Sequence, residues 1–502
     1  MKNLLSKKMM VLIIILNSLQ SAFAQDANHL NKQRRYDEVS WLITHNANNN
    51  DTDAPQGFFG CLGGRNQSKG INAQLQSGVR SFMVDIHRVN GELRLKHGSP
   101  NMCMMDAKDF NNIMEEWLRN HPLDIITLHI QTGANLGISG LDDIFYGRRT
   151  GYKNISNYIY NHSTFVSASR PLNSGSDTYP TIQEMVTKNK RLVLFTETNY
   201  NSNLYRYEFT HTVQNPYRAS QVSQLWDTNK FKADRGVDHK TILTVNHFAG
   251  DAPTYNADKN KSKDANKDVN KKAVTAWFQF GHRPSIAVDY YSLSNGNGTI
   301  PQINEVNTFN EVRGKFTDPS NTSKHIRDVN VYLAELVNGQ WQKVKNVAYN
   351  GVRAKWHLFY SFPARPNDNR ALFFEHPNYN FSPSFIKIGD YDGAQSKTYV
   401  KNINVTQKNA FAAKTTESTA KKGFTVYPNP TSNGNITLAY SVVGKAKLSL
   451  DLYDFTGKHI TKVTNTTVSG TNEIIWNSNK LQGLYILKGY LGEQPITERV
   501  IF

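Results

Sequence analysis

Short apolar runs recur through the N-terminal part of this 502-residue chain: LIT at 42–44, VRSFMV at 79–84, DIITLHI at 124–130, RLVLF at 191–195, TILTV at 241–245 and SIAV at 285–288. Each is of strand length, and the connections between them are long enough to hold helices. One connection carries Phe110, Ile113, Met114, Trp117 and Leu118 at helical spacing, with Asp106 and Asp109 as a start and His121-Pro122 as a stop. A second helix is expected around Ile182 to Thr187. Alternating strands and helices point to parallel strands joined by crossovers. The expectation is an α/β fold over roughly 280 residues.

The stretch Gly78 to Ser99, GVRSFMVDIHRVNGELRLKHGS, departs from that alternation. Asn90-Gly91 is a tight-turn signature, so the chain doubles back here as a hairpin. Ser81, Met83 and Asp85 alternate with Phe82, Val84 and Ile86, which puts Asp85 on the same side as Met83 at the two-residue period of a strand. The second strand runs through Leu93 and Leu95 to His97 and a glycine. Another histidine, His45, ends the apolar run SWLIT and opens an asparagine-rich loop. A lone strand-end histidine reads as a solvated loop residue; two of them with an acid read as the rim of an active site.

These segments resemble the X domain of the phosphatidylinositol-specific phospholipase C family. THNA at 44–47, QLQSGVRSFMVD at 74–85, LKHGS at 95–99, DIITLHIQ at 124–131, VNHF at 245–248 and PSIAVDYYS at 284–292 stand in the family's order. The resemblance covers roughly residues 30 to 312 and implies a TIM-like (β/α) barrel over a catalytic domain of residues 25–312, with its chemistry at the C-terminal ends of the strands. It implies two-histidine catalysis, with His45 as base toward the inositol 2-hydroxyl and His97 as acid toward the diacylglycerol oxygen. Asp289 would orient His45. The family's positive charge at the phosphoryl group comes from an arginine or from calcium. Asn46 and Asp85 match the calcium type, whereas Met83 replaces a usual carboxylate and Gln131 a glutamate ligand. Calcium on Asn46, Asp85 and Gln131 is therefore expected to be weak or absent, with Lys96 as the alternative cation. A glycerophosphodiesterase-like barrel is a second reading, although its Glu-x-Asp metal pair is broken at Met83-x-Asp85. A surface adhesin or lipid-binding protein with a retired active site is a third.

At the chain's start, Lys2, Lys7 and Lys8 precede MMVLIIIL and Ala22-Phe23-Ala24, the pattern of a signal peptide over residues 1–24. That apolar run is too short for a transmembrane helix, and no later run approaches the length. The formal net charge is +17, and loss of the three leader lysines leaves +14. Such a surplus favours an anionic partner such as acidic phospholipid or nucleic acid, and no nucleic-acid motif accompanies it; the family resemblance implies a phosphoinositide-type lipid at a membrane surface. Cys61 and Cys103 are an even pair in an exported chain and lean toward a disulfide, with two unpaired thiols as the other reading. Neither has a partner at zinc-ligand spacing. The run DAPTYNADKNKSKDANKDVNKK, residues 251–272, reads as a solvated loop or as a lid beside the active face.

From 313 to 405, alternating segments punctuated by Asn-Gly, Pro and Asp-Gly suggest a small antiparallel β domain. Residues 406–424, rich in Ala, Lys and Thr, read as a linker. The phrases VYPNPTSNGNITLAY, LDLYDFTGKHI and LQGLYILKGYLGEQPITERVIF, within 425–502, resemble the C-terminal sorting domain of type IX secretion substrates. Their pattern is that of a β-sandwich of about seven strands. The resemblance implies the type IX secretion machinery as a partner and a destination outside the outer membrane.

Overall fold

The computed structural model describes residues 30–502 apart from 54–64, 98–103, 162–178, 228–233, 237–241, 253–255, 282, 295–297, 327–328, 344–351, 354–358, 365–367, 392–396, 409–422, 428, 430, 432–433 and 479–480. The expected signal peptide and the expected Cys61–Cys103 bridge lie outside the described residues. The chain divides into two compact units, Met1–Ala410 and Phe411–Phe502.

The first unit is built on the strands β1 (Leu42–Thr44), β2 (Ser81–Val89), β3 (Glu92–Lys96), β4 (Met104–Asp106), β5 (Ile126–Thr132), β6 (Leu192–Thr196), β7 (Arg206–Tyr207), β8 (Thr212–Gln214), β9 (Arg235–Gly236), β10 (Ile242–Asn246), β11 (Gly250–Asp251), β12 (Asn256–Ala257) and β13 (Pro284–Val288). Eight of them run parallel in the order β7-β6-β5-β2-β1-β13-β10-β8. Chain order is thus kept around the sheet, and the first strand pairs with the last. Among the described residues β7 and β8 are not paired. Only residues 208–211 join them, too few for the crossover that a parallel pair requires. The fold is therefore mixed α/β with a curled parallel sheet, and the ring expected from the family resemblance is left open at this seam.

Alternation along β2 follows the sequence. Phe82, Val84 and Ile86 are buried in one apolar core with Phe110, Met114 and Leu118, while Ser81, Met83 and Asp85 face the other way. The hairpin to β3 turns at Asn90 (φ 50) and Gly91 (φ 83), with Val89 opposite Glu92. Both central residues have positive φ, as the Asn-Gly pair allows. In the helix Ala107–Asn120 the Asp106 side chain caps the start by accepting from the Lys108 amide at 2.9 Å. Its buried Trp117 donates to Asp124 at 2.7 Å, and Asp124 pairs with the buried Arg80 at 2.9 Å.

Two features differ from the sequence reading. The run 251–272 is largely helical, over Lys259–Asn266 and the start of Val269–Phe280, rather than an open loop. Asp258 caps the first helix by accepting from the Lys261 amide at 2.7 Å, and the buried face consists of Ser262, Ala265 and Asn266, which hydropathy does not register. The boundary at 312/313 falls inside a strand, Asn310–Asp318, which pairs with Phe359–Ala364 and Thr398–Val400. Val312, Phe316, Tyr360 and Phe362 share one apolar core with Trp277 and Phe278, and Trp277 donates to the Ser361 hydroxyl at 2.9 Å.

The second unit holds a five-stranded antiparallel sheet around Leu438, Leu448, Leu450, Leu487 and Val500. Two of its strands are very long, Asn435–Asp454 and His459–Asn477. Their register shifts between Val442 and Lys445, at Gly444 with φ 76, so that both halves of the hairpin contribute to one core. Each long strand takes the place of two in the expected count of about seven.

Candidate active site

His45 leaves the end of β1 with its backbone amide bonded to the Val288 carbonyl at 3.0 Å, so β13 delivers Asp289 beside it. The ring Nδ1 lies 2.9 Å from Asp289 Oδ1, and the carboxylate is buried. Phe248 stacks flat on the other side of the ring, with centroids 3.9 Å apart and planes at 6°. His97 follows β3, and its Nδ1 lies 2.6 Å from Oδ2 of Asp85, on the paired strand β2. With each Nδ1 tied to a carboxylate, Nε2 is the nitrogen left for chemistry on both rings. The ring centroids are 6.4 Å apart and the planes stand at 69°. Asn46, next to His45, places its amide nitrogen 3.1 Å from His97 Nε2; rotated, the amide would offer oxygen to a protonated ring.

The asparagine-rich loop holds this arrangement in place. Asn66 donates to Asp289 Oδ1 at 2.8 Å and accepts from Asn46 and Asn49. Gln67 donates to the carbonyls of His45 and Val288 at 2.9 and 3.0 Å and accepts from the Tyr291 amide at 3.1 Å. From the helix Lys259–Asn266, buried Asn266 donates to the carbonyls of Asp289, Tyr290 and Leu293 at 2.9, 3.1 and 2.9 Å. Asn46 (φ 44) and Tyr290 (φ 45) both lie in the left-handed region, and they directly follow His45 and Asp289. Asparagine tolerates that region; tyrosine does so at a cost that the surrounding bonds must cover.

A cavity of about 270 Å³ opens at this face, lined by both histidines, Asn46, Met83, Asp85 and Gln131. Met83 joins Ile43, Phe248 and Ala287 in an apolar patch. Lys96 does not line the cavity; adjacent side chains at a strand end face opposite ways, and His97 takes the inward direction. The cavity's arginine is Arg235, which lines the wall with Glu197, Glu208, Gln214 and His129, none of which the sequence reading had singled out. His129 was within reach, since it sits two residues before Gln131 on the same strand face. Glu197 follows an apolar strand run, but Glu208 lies in the short connection between β7 and β8 and Arg235 opens the two-residue β9, neither with a periodic signal.

Burial opposes charge on His97, but the hydrogen bond to Asp85, that carboxylate's charge and the charge of Asp289 outweigh it and raise its pKa above the ordinary histidine value. Burial also holds the Glu197 carboxyl above the usual range, with Arg235 opposing and Glu208 and Asp85 adding to the shift. The donors Asn46, Asp85 and Gln131 fit a resident calcium poorly. Asp85 is their one carboxylate and is committed to His97, while the Asn46 amide serves His97 and Asn66. Among the described residues no three His, Cys, Asp or Glu side chains are grouped so as to hold a metal ion.

The PI-PLC X 1 family model matches residues 32–304, and the chain belongs to that family. The secretion system C-terminal sorting domain model matches residues 425–502, a type IX sorting domain that marks the chain for secretion and export to the cell surface. The chain is 25% identical over 283 residues to a PI-PLC X domain-containing protein of Arabidopsis thaliana, covering 54% of this chain and 62% of that one. It is 29% identical over 192 residues to PI-PLC X domain-containing protein 1 of Arthroderma benhamiae, covering 37% of this chain and 55% of that one. It thus spans under two thirds of the length of the curated relatives it matches. A phosphatidylinositol-specific phospholipase C from Staphylococcus aureus aligns at 13% identity with a TM-score of 0.38, covering 55% of this chain and 94% of that one. No helix among the described residues is long and apolar enough to cross a membrane.

Proposed function

We propose that this chain is a secreted phosphodiesterase that cleaves phosphatidylinositol-type lipids to diacylglycerol and a cyclic inositol phosphate. The observation that carries the reading is the pair His45 and His97, centroids 6.4 Å apart, each with Nδ1 on a carboxylate. In the first step His45 Nε2 takes the proton of the headgroup 2-hydroxyl as its oxygen attacks phosphorus. The bond from phosphorus to the diacylglycerol oxygen breaks, and protonated His97 gives that oxygen its proton. Water can then open the cyclic ester with the two roles reversed. His97, whose charged form Asp85 favours, supplies positive charge at the phosphate where the resemblance offers Lys96 as the alternative cation, and no step passes through a metal ion. Asp289 fixes the His45 tautomer and stabilises the imidazolium that forms.

The test is product analysis by phosphorus NMR of phosphatidylinositol vesicles treated with the full chain, with and without chelator. Cyclic inositol phosphate at equal rates in both is the expected outcome. Strict calcium dependence would overturn the metal-free mechanism, and vesicle binding without any product would leave a lipid-binding protein in place of the enzyme.

A further inference from the structure

A third histidine–carboxylate pair lies in the same cavity, and the chemistry above leaves it unused. His129 Nδ1 is 2.9 Å from Glu208 Oε1, and both side chains are buried. Gln214 donates to the same Glu208 oxygen at 2.6 Å, Arg235 donates to Gln214 at 2.7 Å, and Arg235 also donates to Glu197 at 3.0 Å. These five side chains form one continuous hydrogen-bonded chain along the cavity wall, across the seam between β7 and β8. The register of β2 on β5 sets Asp85 level with Gln131 and Met83 level with His129. Thr44 pairs with Phe82, so His45 also comes level with Met83; His129 therefore sits level with His45 and one side-chain layer, about 7 Å, below Asp85.

We propose that His129, held by Glu208, is a specificity-determining residue that binds a hydroxyl of a neutral polyol headgroup on the side away from the scissile phosphate. This rests on the phosphodiesterase reading and adds what this wall of the site recognises. Glu208 takes Nδ1, so Nε2 is the atom left to meet a ligand, and imidazole nitrogen can either donate to or accept from a hydroxyl. A quaternary ammonium headgroup would need open aromatic faces, but Phe248 is stacked on His45 and Tyr217 lies against the Arg235 guanidinium at 4.8 Å. A further phosphate on the headgroup would meet Glu197 and Glu208, and Arg235 already serves Glu197. A hydroxylated ring without added charge satisfies the mixed donors and acceptors that remain.

The test pairs His129→Leu with monodeoxy analogues of phosphatidylinositol. In the wild-type chain one analogue should lose about tenfold in kcat/KM, mostly through KM, and the same analogue should lose nothing further in His129→Leu. A variant that discriminates the whole series as the wild type does overturns the proposal. Should His129→Leu fail to fold, judged by its melting transition, His129→Phe, which also cannot hydrogen-bond a hydroxyl, takes its place with the same expectation. If the wild-type chain turns over no lipid, the phosphodiesterase reading fails by itself. Calorimetry with myo-inositol then decides the role of His129: weaker binding by about tenfold in the variant supports it, and equal affinity ends it.

Discussion

His45 and His97 have similar carboxylate partners but unlike surroundings. His45 is 21% exposed and pressed against Phe248, whereas His97 is 41% exposed beside the Asn46 amide. The charge of Asp85 on His97 favours the protonated ring that a general acid needs, and Asp289 leaves His45 Nε2 as the basic nitrogen. Replacing either histidine with alanine should lower turnover at least about a hundredfold, checked by initial rates at saturating lipid. Asp85→Asn should lower the His97 pKa and move the alkaline limb of the activity profile to lower pH, followed with an NMR titration of the ring. The sign for stability agrees: a histidine raised on folding stabilises below its unfolded value and loses that contribution as pH rises through its folded value, and Asp85→Asn should flatten this dependence. An unmoved His97 titration would contradict the assignment. These four residues were legible because His45, His97 and Asp289 each directly follow a strand and Asp85 shares a strand face with Met83, all within motifs. Glu208 and Arg235 were not, because they meet His129 and Glu197 only once the sheet has curled.

At the scale of elements, Asp289, the carboxylate on His45, is fixed from behind by a helix that composition disguised. Lysine, asparagine and aspartate between 259 and 266 look solvated, but the Asp258 cap starts a helix whose buried Asn266 gathers three carbonyls of the loop after β13. Asn266→Ala would leave those buried carbonyls short of a donor. It should cost about 1–3 kcal/mol in denaturant unfolding, with a fall in turnover as the Asp289 loop relaxes. Wild-type stability and rate in that variant would show that the helix merely covers the loop. The parallel α/β class was readable because the buried strands are short, nearly continuous apolar runs separated by connections long enough for helices. The open seam was not, since Arg206–Tyr207 and Thr212–Gln214 are too short for any periodicity to show.

For the whole molecule, the sequence suggests a division after residue 312, whereas the apolar core divides the chain after the last strand of the first unit. Cutting at 312 would split the strand Asn310–Asp318 and remove Phe316, Tyr360, Phe362, Ile403 and Val405 from the core around Trp277 and Phe278. Loss of one buried aromatic side chain alone costs about 3–5 kcal/mol, comparable with the stability of an entire domain. A chain ending at Val312 should therefore fail to give a cooperative melting transition, whereas one ending at Ala410 keeps the first compact unit whole and should melt and turn over lipid like the full chain. Phe362→Ala in the full chain gives the graded version of the same test, since Phe362 lies beside Phe278 with ring centroids 5.6 Å apart. Destabilisation by that substitution with loss of activity only above the lowered melting point would mark the β-rich segment as part of the catalytic unit's core. An active, cooperatively folding chain ending at Val312 would restore the boundary that the sequence suggests.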